Sequence, residues 1–367
     1  MAELDIPHQA PTVLATFEQT HVLSQVVPSG HPHLAYQMAV PKSWAFAESF
    51  GPVPSGLLEP KGLGFFASHH TDGAPVIAVT ATGIPYEVPL DVWARLVFER
   101  EGYEVVAAAW FPGPTGLFFD ITGVRAGKPQ PEEAAQNAPA DADQATANTV
   151  HVRRSAIRAY APEVISVNCL CALGHWEFAK EVFWAALATF KFTAPGPTRF
   201  ESWVQVATTA PGFEFAHPAS WLNEPVAQPP EGISAIDVRL PGEDDRLMAY
   251  LQVRAELLDG REPPTVEELE ASELERLEGS GFVPAQASEP RPERDDPRAA
   301  AVAGWLGSFV VDGTLQDAPV TTLRGYLLRN EVVFTLLLIS PRRDANPVVW
   351  LRALRAYEIA RATLKPL

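Results

Sequence analysis

The sequence predicts an α+β fold in two tandem copies, each an antiparallel sheet packed on helices. Three observations carry this reading. The phrase "YQMAVPKSW" at 36–44 returns as "FEFAHPASW" at 213–221, so that Ala39, Pro41, Ser43 and Trp44 are matched by Ala216, Pro218, Ser220 and Trp221. A second pair of markers, "LATFKF" (Leu187 to Phe192) and "RATLKP" (Arg361 to Pro366), closes each copy. Between the markers, strand-like and helix-like segments recur in one order, and strands grouped apart from two helices are the pattern of an α+β domain. Self-similarity over this length means duplicated domains, because a solenoid would repeat every ~20–50 residues.

The elements follow in order. In the first copy a helix is expected over about Pro89 to Glu101, where Val92, Trp93, Leu96 and Val97 form a one-sided apolar stripe. It closes at Gly102-Tyr103, as an acidic helical segment of the second copy closes at Gly281-Phe282. The strands "GLFFDITGV" and "GWLGSFVVDG" come next. Two consecutive strands then follow in each copy: "VRRSAIRAYA" with "EVISVNCLCA", and "TTLRGYLLRN" with "EVVFTLLLIS". The closing helix carries Trp176, Phe178, Val182, Phe183, Ala186, Leu187 and Phe190 in the first copy. Val349, Trp350, Leu354, Tyr357 and Ile359 do the same in the second. Both helices of a copy are expected on one face of its sheet.

Segments 127–149 and 284–300 have no apolar periodicity, so they are expected as mobile loops that bury too little to offset ordering entropy. The resulting division is an N-terminal segment 1–29, partly disordered, a first domain 30–192, a linker 193–202 and a second domain 203–367. A linker this short holds the copies together as a monomeric pseudo-dimer.

Composition narrows the function. With 45 acids against 28 bases the net charge is −17, which disfavours nucleic acid and anionic membrane surfaces, since both need a basic patch. The N-terminus lacks a basic stretch followed by an apolar run, so no secretory signal is expected. No window reaches the ~18–20 apolar residues of a membrane helix, so membrane insertion is not expected either. Cys169 and Cys171 sit two apart on a strand and share a face, which suits free buried thiols in a reducing cytoplasm.

Candidate chemistry is thin. His31 with His33, and His69 with His70, lack the companions of a zinc site. The acids of "VEELEASELERLE" recur at i, i+3 and i+4 and read as a solvated helix face. Ser43 and Ser220 have no GxSxG elbow and read as turn residues above packed tryptophans. "KGLGFF" lacks the spacing of a phosphate loop. No catalytic residue, metal site or cofactor is assigned, and the expectation is a binding protein rather than an enzyme.

The repeated strand, its Pro-x-Ser-Trp ending, and the sheet, helix and closing helix that follow resemble the PsbP-like superfamily, over about 30–192 and again over 203–367. That superfamily includes the photosystem II extrinsic protein, a Ran-binding nuclear import factor, bacterial DcrB-like proteins and the Eag chaperones of type VI secretion effectors. The resemblance implies a mostly non-enzymatic binding role. Within it, the Eag branch implies a bacterial cytoplasmic chaperone or adaptor that shelters apolar helices of a secreted effector between paired sheets.

Alternation then proposes the surface that holds the client. Ile165, Val167, Cys169 and Cys171 form a core face, which leaves Val164, Ser166, Asn168 and Leu170 facing outward. In the second copy Val333, Thr335 and Leu337 are the outward set, opposite Phe334, Leu336 and Leu338. These seven residues are the expected partner-binding set, and an interface between the two copies would use them equally well. Two alternatives stay open. One is a small-molecule-binding or enzymatic pair with a pocket near His69, His70 and 127–149; the other is a structural subunit of an assembly.

Overall fold

Alternation organises both large sheets, because each has an apolar face whose residues recur every second position. The computed structural model describes residues 17–29, 31–48, 60–68, 73–113, 116–126, 150–194, 196, 199–209, 211–226, 230–242, 246–285, 291–292 and 303–367. The chain divides into two units, Met1–Pro85 with Leu90–Phe200, and Glu201–Leu367 with Tyr86–Pro89. Segment 127–149 and most of 284–300, expected as loops, lie outside the described residues, as do His69 and His70.

The first unit contains β1 (His21–Val26), β2 (Tyr36–Pro41), β3 (Ala45–Ala47), β4 (Lys61–Ala67) and β5 (Val76–Gly83). Helix α1 (Leu90–Arg100) follows, then β6 (Glu104–Gly113), β7 (Gly116–Ala126), β8 (Val150–Tyr160) and β9 (Glu163–Ala172). Helix α2 (Trp176–Thr189) and β10 (Lys191–Phe192) close it. Its large sheet is antiparallel in the order β3-β4-β5-β9-β8-β7-β6, beside a small sheet β1-β2-β10.

The second unit repeats this plan. It has β11 (Trp203–Ala207), β12 (Phe213–Pro218), β13 (Leu222–Pro225), β14 (Ile233–Pro241) and β15 (Leu247–Leu257), then α3 (Val266–Gly279). After these come β16 (Phe282–Pro284), β17 (Arg291–Pro292), β18 (Trp305–Leu315), β19 (Ala318–Arg329) and β20 (Val332–Pro341). Helix α4 (Pro347–Thr363) and β21 (Lys365–Pro366) end the chain. The large sheet runs β13-β14-β15-β20-β19-β18-β16, with β17 also paired to β18, and the small one is β11-β12-β21.

The two repeated markers meet in space. Strand β10 pairs only with Tyr36 and Gln37 of β2, and where it stops the Thr189 hydroxyl takes over. Ala39 N–H donates to Thr189 Oγ1 at 2.7 Å, and that hydroxyl donates to Ala185 O at 2.8 Å. In the second unit β21 pairs with Phe213 and Glu214, and Ala216 N–H donates to Thr363 Oγ1 at 2.8 Å. The phrase also ends in the same turn twice, with Trp44 N–H on Pro41 O and Trp221 N–H on Pro218 O, both at 3.0 Å. Trp44 and Trp221 are buried while Ser43 and Ser220 are exposed. Gly102 and Gly281, which end α1 and α3, both take left-handed backbone (φ +79° and +91°) that a side chain would strain.

Two expectations are corrected. Segment 1–29 is not wholly outside the first domain: β1 pairs along its length with β2, His21 opposite Pro41 and Val26 opposite Tyr36. It is the counterpart of β11 and is itself an edge strand, in which Val26 alone is buried while Val22 and Leu23 are exposed. Nor do both helices lie on one face. Helix α2 packs on β9 and β2, with Cys169 Sγ 3.9 Å from Ala179 O, whereas α1 packs on β6, β7 and β8 from the other side. In the second unit α4 covers β12, β15 and β20, and α3 covers β16, β18 and β19. Phe178, counted with the apolar stripe of α2, is 52% exposed.

Candidate functional site on the first sheet

The register of two neighbouring strands, β5 and β9, builds a patch of mostly short side chains on the α1 side of the first sheet. Val76 stands opposite Leu170, Ala78 opposite Asn168 and Thr80 opposite Ser166. Because residues two apart share a face, these six form one surface. Helix α1 lies over β6–β8 and leaves this part of the sheet uncovered on one flank. The result is a cavity of about 240 Å³. Ala78, Thr80, Ser166 and Asn168 line it from the sheet with Phe65, Val76 and Leu170, Trp93 and Val97 line it from α1, and Pro60, Thr82 and the charged pair Glu101 and Arg153 complete the lining. Trp93 and Val97 are four apart, so both point to the same side of their helix.

The polar groups of the floor satisfy one another. Asn168 Nδ2 donates to Ala78 O at 3.2 Å, Thr80 Oγ1 at 3.3 Å and Ser166 O at 3.3 Å. Its Oδ1 accepts from Ser155 Oγ at 2.7 Å and Arg153 Nη2 at 3.0 Å. Arg153 also donates to Ser155 Oγ at 3.1 Å, pairs with Glu101 and lies 4.6 Å over the Phe98 ring. These contacts tie the polar groups at the base of the cavity to one another.

The expected partner-binding residues divide by this geometry. Ser166, Asn168 and Leu170 line the cavity. Val164 is fully buried on the same face and does not line it. Val333, Thr335 and Leu337 are on the α3 side of the second sheet, as alternation predicts, and they are buried there. Leu337 packs with Leu277 of α3, Phe282, Val311 and Val320. The face expected outward is thus covered by α3 in the second unit and only flanked by α1 in the first. The contribution of α1 is not legible from sequence, where Trp93 and Val97 form part of an ordinary apolar stripe.

The acidic helix α3 also departs from the expected solvated face. Glu270 and Glu273 are 6% and 2% exposed; Glu270 serves an arginine of the sheet, and Glu273 serves one of α3 itself and one of the sheet. Arg324, wholly buried, places Nη2 2.8 Å from Glu270 Oε1, and Tyr326 donates to Glu270 Oε2 at 2.9 Å. Glu273 takes Arg276 at 2.5 Å and 3.1 Å, and Arg254 Nη2 lies 3.7 Å away. Burial raises the Glu270 carboxyl above its ordinary value against the lowering effect of Arg324. The signal was an arginine at the centre of the apolar run "TTLRGYLLRN", which needs a buried carboxylate.

Other candidates stay apart. His31 and His33 meet edge to face at 6.0 Å, with His33 Nε2 3.6 Å from Glu163. Among the described residues no three His, Cys, Asp or Glu side chains group as metal ligands, and no helix is long and apolar enough to cross a membrane. Cys169 and Cys171 are both buried and free, and burial pushes the Cys171 thiol up to about 12.

No family model and no curated protein matches this chain. Similar solved structures include cyanobacterial PsbP (CyanoP) from Synechocystis, at 13% identity and TM-score 0.29 over 43% of this chain and 86% of that one. The type VI secretion immunity protein TplEi of Pseudomonas aeruginosa, in its apo form, is similar at 10% identity and TM-score 0.25, over 94% of this chain and 97% of that one. The Tle4–Tli4 complex contains a chain similar at 10% identity and TM-score 0.24, with 95% and 98% of the two chains covered.

Proposed function

We propose that this chain is a non-enzymatic cytoplasmic binding protein, a chaperone or adaptor that holds an apolar segment of a secreted effector protein in the groove of the first domain. The observation that supports this is the groove itself: Phe65, Val76, Leu170, Trp93 and Val97 give it apolar lining, and its polar and charged groups, Asn168 and the Arg153–Glu101 pair among them, already bond within the protein. Such a site gains by removing apolar surface from water, at ~25 cal/mol per Å². Its size suits one or two side chains of a partner rather than a whole helix. The net charge of −17 favours a segment flanked by basic residues, since the protein's field concentrates cationic partners.

The test fills the groove. Ala78→Phe places a ring where the floor is lowest, and Gln252→Ala changes the corresponding position of the second domain. Tagged wild type and both variants are used to capture partners from native lysate, with equal folded protein confirmed by circular dichroism. A partner retained by wild type and Gln252→Ala but reduced at least about tenfold by Ala78→Phe is the expected result, since a built-in clash discriminates at that level. Equal retention by Ala78→Phe would remove the groove from the function.

A further inference from the structure

A strand at the edge of a sheet turns every second N–H and C=O away from its neighbour, and proteins keep such edges short, charged or broken by proline so that no further strand adds to them. Three of the four edges of the two large sheets obey this among the described residues. Strand β3 has three residues, β13 has four and ends in Pro225, and β16 has three and ends in Pro284. Strand β17, on the same side of β18 as β16, has two and ends in Pro292. Strand β6 breaks the rule. It follows Gly102 as β16 follows Gly281, yet it runs ten residues, Glu104–Gly113, with one charge, Glu104, at its start and one proline, Pro112, near its end. A bulge at Val105/Ala107 lies early in the strand, and from there Ala107–Gly113 pairs with β7 without a break. Among the described residues β6 is the last strand of its sheet, and Ala107 to Phe111 are only half-buried.

We propose that β6 is a dimerisation edge, pairing antiparallel with β6 of a second copy of this chain. The strand is self-complementary. With Ala109 opposite its own copy, Ala108 stands opposite Trp110 and Ala107 opposite Phe111, so each alanine leaves room on its face for an aromatic ring. Those rings are already seated on the sheet, Trp110 against Phe119 at 5.2 Å and Phe111 against Phe118 at 5.6 Å. Glu104 and Pro112 fall outside the paired stretch, so like charges do not meet and the proline withholds no N–H from it. A foreign strand would gain the same backbone hydrogen bonds without this match of small to large. The inference goes beyond the groove reading and does not depend on it, since β6 lends no side chain to the groove. The net charge of −17 on each copy opposes association, and salt screens that repulsion.

The experiment is sedimentation velocity of the full chain from about 1 to 100 µM, at low salt and at about 0.5 M NaCl, because a short edge pairing lies at the weak end of interfaces. The expected result is a monomer–dimer equilibrium that moves toward dimer with concentration and with salt. Ala109→Lys sets two like charges face to face and should weaken the dimer at least about tenfold. Glu104→Gln, outside the paired stretch, should change it less than about twofold. Hydrogen exchange of the wild type needs no variant to fold: 107–111 should gain protection at the high end of the concentration range, while β3, β13 and β16 gain none. A chain that stays monomeric under every condition overturns the proposal. So does a dimer that Ala109→Lys leaves intact, or one in which 107–111 gains no protection, because its contact then lies elsewhere.

Discussion

The first domain leaves a groove between its sheet and α1, while the second fills the corresponding space with charge. Strand pairing makes the two directly comparable. Val76, Ala78 and Thr80 pair with β9 where Tyr250, Gln252 and Arg254 pair with β20. Ser155 stands beside Asn168 where Arg324 stands beside Leu337. In the second domain the long side chains of the sheet reach the helix and find carboxylates, Glu270 for Arg324 and Glu273 for Arg254, while Arg276 of α3 itself also pairs with Glu273. Tyr250 and Gln252 converge on Asp237, at 2.7 Å and 2.9 Å. The first domain offers short side chains from the sheet and Trp93 with Val97 from the helix. One backbone plan thus yields an open face or a sealed one according to side-chain length at about five positions. The first copy leaves a cavity beside its helix, and the second holds its helix by ion pairs.

The sealed face should break most severely. Glu270→Ala leaves the Arg324 guanidinium buried beside no carboxylate, and such uncompensated burial costs about 3–5 kcal/mol. Replacing both partners by apolar residues, as Glu270→Leu with Arg324→Met, should restore most of that loss, because neither buried charge then remains. Guanidinium unfolding measures both, and hydrogen exchange over 318–341 localises the effect. If the single variant is as stable as wild type, Arg324 is not held by Glu270 in the way the comparison requires.

A second prediction concerns what the copies share. Thr189→Val and Thr363→Val each leave a strand amide, at Ala39 or Ala216, without its acceptor, and each should cost about 1–3 kcal/mol with little change in shape. Thr→Ser at either site keeps the oxygen and should recover most of it. Equal losses in the two copies would show that the repeated markers are one device used twice. A loss confined to one copy would show that the likeness has become vestigial in the other.

These features differ in how far the sequence shows them. Alternation in "EVISVNCLCA" and "EVVFTLLLIS" separates the buried sets Ile165–Cys171 and Phe334–Leu338 from the opposite face, and the structure has that division. The markers at Ala39 and Thr189 are visible as a repeat, but their hydrogen bond is not, because 150 residues of chain separate them. The covering of the opposite face was hidden for a different reason. A helix with acids at i, i+3 and i+4 looks the same whether its carboxylates meet water or an arginine, and only Arg324 and Arg254 on the facing strands decide between them. The groove was hidden because it is made by what is small. Ala78, Thr80 and Ser155 carry no motif, and their meaning comes only from the longer residues at the same places in the other copy.

The smallest expected effect is a slope with pH, and it again separates the two faces. The Glu270 carboxyl is held above its ordinary value of 4.5 by burial, with Arg324 opposing and Glu273 reinforcing the rise. A raised carboxyl pKa means that the folded state binds the proton more tightly than the unfolded chain. The contribution is therefore complete below about pH 4.5 and declines as pH rises through the shifted value. One titrating group cannot give more than about 1.4 kcal/mol per pH unit. Glu270→Gln keeps the side-chain shape and removes the titration, so its stability measured by urea unfolding should lack that decline above pH 4.5, while the wild type shows it. The site-specific readout is hydrogen exchange of β19 and β20, compared with β8 and β9, where the variant should change nothing. Parallel pH profiles for wild type and variant would mean that Arg324 and the Tyr326 hydroxyl fully compensate the burial of Glu270, and that the sealed face is electrostatically settled rather than strained.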